Sequence, residues 1–162
     1  LFVRELKARG VPMDRFANRL MVTQREMDYK DEEINAFYCA ADVGISTSDG
    51  EGFGLCQFEQ MGLGIPQVVP AIGGFKEFCG ADNSVLVNPT VRYYLPTSFS
   101  PVGGEAHACN PHDICIGMER YVLDSELRKT HGAAAAATVS TYTWEKACAP
   151  LLKRLQAEKE DE

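Results

Sequence analysis

No stretch of this chain comes near the roughly 20 consecutive apolar residues that a membrane-spanning helix needs, and no signal peptide is visible within it. A transmembrane segment is thus excluded within this sequence. Paired cysteines are missing too: Cys39, Cys56, Cys79, Cys109, Cys115 and Cys148 form no C-x-x-C unit. They read as the reduced thiols of a cytoplasmic, disulfide-free protein, with Cys39, Cys56 and Cys148 as small hydrophobes in helical, apolar surroundings. Positive charge is scarce, with 16 Lys and Arg against 23 Asp and Glu for a net charge of -7. That balance argues against nucleic acid as a partner, because such binding rests on cations that neutralise phosphates.

What is present suits a folded α/β domain. The 162 residues are 45% hydrophobic and 24% charged, enough to bury a core. Apolar strands are expected at 19–23, 43–47, 67–70 and 84–87, separated by helices at 31–40, where Asp31 is the expected cap, at 55–62 and at 75–79. Alternating strands and helices imply a parallel sheet with helices on both faces, with ligands bound beyond the carboxyl ends of the strands. Helices are then expected at 111–123, from 124 or 125 through the alanines 133–137, and at 144–158, with Trp144 as a core anchor. Residues 89–110, rich in Pro, Gly and Tyr, read as an inserted loop, and 157–162 as an acidic, solvated tail.

One run carries most of the functional information. Residues 49–74 read DGEGFGLCQFEQMGLGIPQVVPAIGG. Gly50, Gly52 and Gly54 allow a sharp turn between a strand and a helix, and the first amides of that helix suit an anion such as phosphate. Carboxylates at Glu51 and Glu59 repel phosphate but accept hydrogen bonds from sugar hydroxyls. A phosphate group between two sugars describes a nucleotide sugar. His107, Cys109, His112 and Cys115 offer zinc-binding types within nine residues, yet Pro111 and Asp113 make their second half a helix start, so no metal site is assigned.

These residues resemble the family-4 retaining glycosyltransferases of GT-B architecture, whose E-x(7)-E signature is matched by Ser48, Glu51, Gly52, Phe53, Gly54, Leu55, Glu59, Met61, Gly64, Pro66, Val68, Val69, Gly73 and Gly74. Glu77 matches the glutamate after the paired glycines, Tyr38 to Val43 resembles Y-x-x-A-D-V, and Tyr142 to Lys146 resembles F-S-W-E-x. The Gly-Phe-Gly-Leu-Cys and Gly-Gly-Phe-Lys details are most similar to enzymes of large algal viruses.

The resemblance implies transfer of a sugar from a nucleotide-sugar donor, a UDP- or GDP-sugar with GDP-mannose as the first choice, to a glycan, lipid or protein acceptor, with no metal or other cofactor. Glu51 would orient the donor sugar, as the catalytic residue. Glu59 would take the ribose, Val22 and Thr23 the base, the amides of Phe53, Gly54 and Leu55 the diphosphate, and Gly73 and Gly74 would admit a loop close to the sugar. Gln60, Gly62 and Gln67 depart from the family pattern, and Gln60 is expected to face water. The family's basic pair, in a G-R-x-x-x-x-K-G segment, is not found before Leu20, and the sequence opens on Leu1. Residues 1–162 are therefore expected to be a single domain, the C-terminal donor-binding half of a longer chain with its acceptor domain upstream, and inactive alone. A non-catalytic nucleotide-sugar-binding domain, or a structural module using 89–110 as its contact surface, is the alternative.

Overall fold

The computed structural model describes residues 2–15, 29–96 and 103–160. The chain divides into two compact units, Leu1–Ile34 and Asn35–Glu162. In the first, α1 (Phe2–Ala8) stops at Gly10, whose φ of 65° only glycine adopts without strain. Its end is closed by two bonds, Val11 N–H to the Leu6 carbonyl at 2.9 Å and Gly10 N–H to that of Lys7 at 3.1 Å, which satisfy carbonyls the helix leaves over. A 3₁₀ turn, Met13–Arg15, follows. The strand expected at 19–23 lies outside the described residues.

Helix α2 (Asp31–Cys39) joins the two units. Its cap differs from the expected one. Asp31 is the first helical residue, while Glu33 reaches back to accept the Lys30 N–H at 3.0 Å, the reciprocal half of a capping box.

The larger unit is built on three parallel strands in the order β1 (Gly44–Ile45), β2 (Gln67–Pro70), β3 (Ser84–Val87). The register places Ile45 beside Val68, and Val68 and Val69 beside Val85 and Leu86. Because side chains alternate along a strand, neighbours in β2 serve opposite faces. Val69 packs with Met61, Phe75, Phe78 and Ala135 under α3 (Leu55–Gly62), α4 (Phe75–Phe78) and α6 (Ser125–Ser140). Val68, Val85 and Val87 pack with Ile114 and Tyr121 of α5 (Pro111–Leu123). Both faces of the sheet are covered, as an α/β fold with a parallel sheet requires.

The helices start where their sequences dictate. Asn110 caps α5 by accepting the His112 amide at 2.9 Å with Pro111 at the first turn, and Asp124 caps α6 by accepting from Leu127 at 2.8 Å. The last helix, α7 (Trp144–Glu160), continues into the stretch expected to be a tail. Trp144 at its start is 84% exposed, so it is not the expected core anchor.

Residues 89–110 are more ordered than a loop. Val91–Leu95 (β4) and Gly104–Ala108 (β5) pair as an antiparallel ribbon, with Tyr93 opposite Ala106 and Arg92 opposite His107.

Candidate functional site

Parallel strands send their carboxyl ends to one edge of the sheet, so the segments that leave β1, β2 and β3 converge there. The segment after β1 is the glycine-rich turn, that after β2 holds Gly73 and Gly74, and that after β3 leads into the β4–β5 ribbon. Residues far apart in sequence thus form one cluster.

The first two segments touch through backbone. The Gly74 N–H donates to the Glu51 carbonyl at 3.1 Å. A Cβ on Gly73 would stand 2.1 Å from that same oxygen, and one on Gly74 would stand 2.5 Å from both the Gly52 carbonyl oxygen and the Phe53 Cα. Glycine is therefore required at both positions by the approach of one turn to the other, with Gly73 also at φ +44°. Gly54 has the same character: at φ 93° it opens α3, and a Cβ there would lie 2.5 Å from the Phe75 ring.

The predicted site residues are distributed as follows. Glu51 is half-buried, and its Oε1 accepts a long 3.4 Å bond from the Phe53 amide. Gly52 and Phe53 are exposed, and Leu55 is 64% exposed at the first position of α3, where the amides have no carbonyl within the helix to bond. Glu59 lies one turn further along, exposed, with its Oε2 accepting from the Tyr38 hydroxyl at 3.1 Å. Burial, and beyond it the neighbouring Cys56 and Glu59, push the Tyr38 phenol well above its ordinary range, so it stays a donor to that carboxylate. Val22 and Thr23 lie outside the described residues.

Three further features were not anticipated from the sequence. Asp49 is bound twice by the ribbon: the Tyr93 hydroxyl donates to its Oδ2 and the His107 amide to its carbonyl, the latter at 2.7 Å. Gln60 does not simply face water. It is half-buried, and its Oε1 accepts from the fully buried Gln67 amide at 3.2 Å, so two departures from the family pattern bond to each other. The third is an open groove of about 940 Å³ between the turn and the start of α7, lined by Phe53, Leu55, Phe58, Tyr142 and Trp144 among others. No sequence signal marks the Asp49–Tyr93 contact, which spans 44 positions.

The cysteines and histidines behave as separate groups. All six thiols are free; Cys79 is buried, which pushes its thiol up to about 11, whereas Cys39 and Cys56 are exposed rather than packed in apolar surroundings. His107 pairs with Glu105 at 2.9 Å, and Cys109 donates to the Val87 carbonyl at 3.4 Å. Among the described residues no three His, Cys, Asp or Glu side chains are grouped to hold a metal ion, and no helix is long and apolar enough to cross a membrane.

Comparison with known proteins agrees with this architecture. A sucrose-phosphate synthase from Thermosynechococcus elongatus superposes with a TM-score of 0.63 at 19% identity over 98% of this chain and 34% of its own. The C-terminal domain of a glycosyl transferase group 1 family protein from Francisella tularensis superposes with a TM-score of 0.59 at 20% identity over 86% of this chain and 61% of its own. The chain therefore spans about a third of one of these structures and less than two thirds of the other. Identities this low establish a shared fold, the Rossmann-like α/β arrangement of GT-B glycosyltransferases. No curated protein matches the sequence. The family described as "Family 4 Glycosyltransferase in conflict systems" matches residues 9–151, which include the whole run from Asp49 to Gly74 and every loop of the cluster, and the chain belongs to that family.

Proposed function

We propose that this chain is the donor-binding part of a retaining glycosyltransferase, which moves a sugar from a nucleotide sugar to a glycan, lipid or protein acceptor. The observation that carries the reading is the placement of Glu51 and Glu59 on either side of the first turn of α3, with the Gly73–Gly74 backbone packed against Glu51. Carboxylates on either side of unpaired helix amides suit a ligand with hydroxyls at both ends and phosphate between.

In this reading Glu51 orients the donor sugar through its hydroxyls and Glu59, held by Tyr38, takes the ribose. The amides of Phe53, Gly54 and Leu55 face the diphosphate. As the bond from the anomeric carbon to phosphate oxygen breaks, charge accumulates on the leaving diphosphate and these amides stabilise it, that of Phe53 by exchanging its long bond to Glu51 for the phosphate. Val22 and Thr23 take the base. GDP-mannose is the first donor to try, and the reaction is metal-independent. The acceptor domain belongs to a segment N-terminal to these residues, a reading supported by the chain's spanning only 34% of the sucrose-phosphate synthase structure.

The test uses the full-length protein against a panel of UDP and GDP sugars. A preferred donor raises the melting temperature by mass action. Transfer from that donor is expected to persist in EDTA and to fall by at least about 100-fold in Glu51→Ala, the scale of losing an orienting contact. Unchanged transfer in Glu51→Ala removes that residue from the mechanism, and donor binding without any transfer favours a binding domain.

A further inference from the structure

We propose that Tyr93 is a positioning residue for Glu51: the β4–β5 ribbon grips Asp49 and so fixes the turn that presents the Glu51 carboxylate to the donor. This inference rests on the donor-site reading of Glu51.

Asp49 lies two residues before Glu51 and is held from both strands of the ribbon. Tyr93 of β4 binds its carboxylate, and the His107 amide of β5 binds its carbonyl at 2.7 Å. The intervening Gly50 supplies no packing, since even a Cβ there would meet nothing within 4 Å. Its carbonyl accepts from the Ser48 hydroxyl at 2.6 Å, a bond internal to the turn that does not fix it to the rest of the fold. On the far side, the Gly74 amide holds the Glu51 carbonyl at 3.1 Å. The segment 49–51 is thus suspended between two anchors, the ribbon at Asp49 and the β2–α4 loop at Glu51.

The ribbon is fit to act as an anchor. Two strands alone are marginally stable in water, but this pair is tied down: Ala106, at its middle opposite Tyr93, is 2% exposed, and just past its base the Cys109 thiol donates to the Val87 carbonyl at the end of β3. The face that carries Tyr93 turns towards the glycine-rich turn. On the opposite face Tyr94 is 73% exposed and Arg92 pairs loosely with Glu105 at 3.7 Å. Loss of the Tyr93 hydroxyl leaves the Asp49 side chain without its partner and only the His107 amide on that anchor. A carboxylate displaced by about 1 Å loses much of its effect on a bound substrate.

The experiment is a double-mutant cycle in the full-length protein, reading affinity for the preferred nucleotide sugar by calorimetry. Tyr93→Phe is expected to weaken donor binding about tenfold, the scale of one bond to a charged group, and to weaken it no further in a Glu51→Ala background. Asp49→Asn is expected to behave as Tyr93→Phe does, which guards against a folding defect peculiar to one variant, and Arg92→Ala on the outer face leaves affinity unchanged. In the transfer assay the loss falls on kcat and the donor KM, with the acceptor KM unmoved. Equal weakening in both backgrounds, or no weakening by Tyr93→Phe, overturns the positioning role while leaving the donor site intact. A wild type that binds no nucleotide sugar overturns the donor reading and this role with it.

Discussion

Gly73 shows how much a single position can decide. Its Cβ would fall 2.1 Å from a backbone oxygen, which cannot rotate away as a side chain would, and its φ of +44° is costly for any other residue. Gly73→Ala is expected to destabilise the fold by about 1–3 kcal/mol, the range for overpacking, seen as a lower urea midpoint, and to abolish donor binding by displacing Glu51. The pair of glycines was legible in the sequence as a requirement for close approach, but what approaches is the Glu51–Phe53 backbone. Gln60 and Gln67 make the complementary case. Each reads in isolation as a small departure from a pattern, and their 3.2 Å contact, with the 2.9 Å bond from the same Gln67 nitrogen to the Ile65 carbonyl, explains how a strand buried at 0% exposure accommodates an amide, although the Gln67 Oε1 still has no partner.

Among the elements, α5 and α6 are joined by a buried polar bond, the Tyr121 hydroxyl to His131 Nδ1 at 2.8 Å. Burial, and then the charge of Arg120, hold the His131 imidazole below its ordinary 6.5, so the folded chain takes up that proton less readily than the unfolded one. The resulting contribution to stability is complete above pH 6.5 and is lost as pH falls through the folded-state value. The melting temperature should therefore drop on acidification below pH 6.5, and His131→Gln should flatten that part of the profile; an equally steep drop in the variant assigns it to other groups. Helix positions were the most legible feature of the sequence. Asn110–Pro111 and Asp124 are local signals that fix where α5 and α6 begin, and α3, β2 and β3 fall on the residues their apolar patterns indicate. Strand β1 is shorter than its apolar run, and the ribbon was unreadable because its pairing joins strands across residues 96–103, where Pro96, Pro101 and Gly103 mark a break but no two-residue hairpin signal sets the register.

Across the whole molecule, charge is the property that sequence decides alone. A net charge of -7 is a sum over residues and needs no fold. It predicts that the chain is not retained on an immobilised oligonucleotide even at low salt, where cation-driven binding is strongest; retention there would point to a cationic surface that the composition hides. The exposure of Trp144 at 84%, with Leu151, Leu152 and Leu155 of α7 all about half exposed or more, could not be read in the same way. An aromatic anchor and an apolar helix face look alike in sequence whether covered or bare.

The sequence by itself determined the alternation of strands and helices, the starts of α5 and α6, the charge and the run from Asp49 to Gly74 that marks the family, because each is a matter of composition or of local order along the chain. Tertiary structure decided which of those residues meet. Parallel pairing of β1, β2 and β3 brings three segments to one edge of the sheet. There Gly73 reaches Glu51, and Tyr93 and His107 reach Asp49, contacts between segments that only the folded sheet sets side by side.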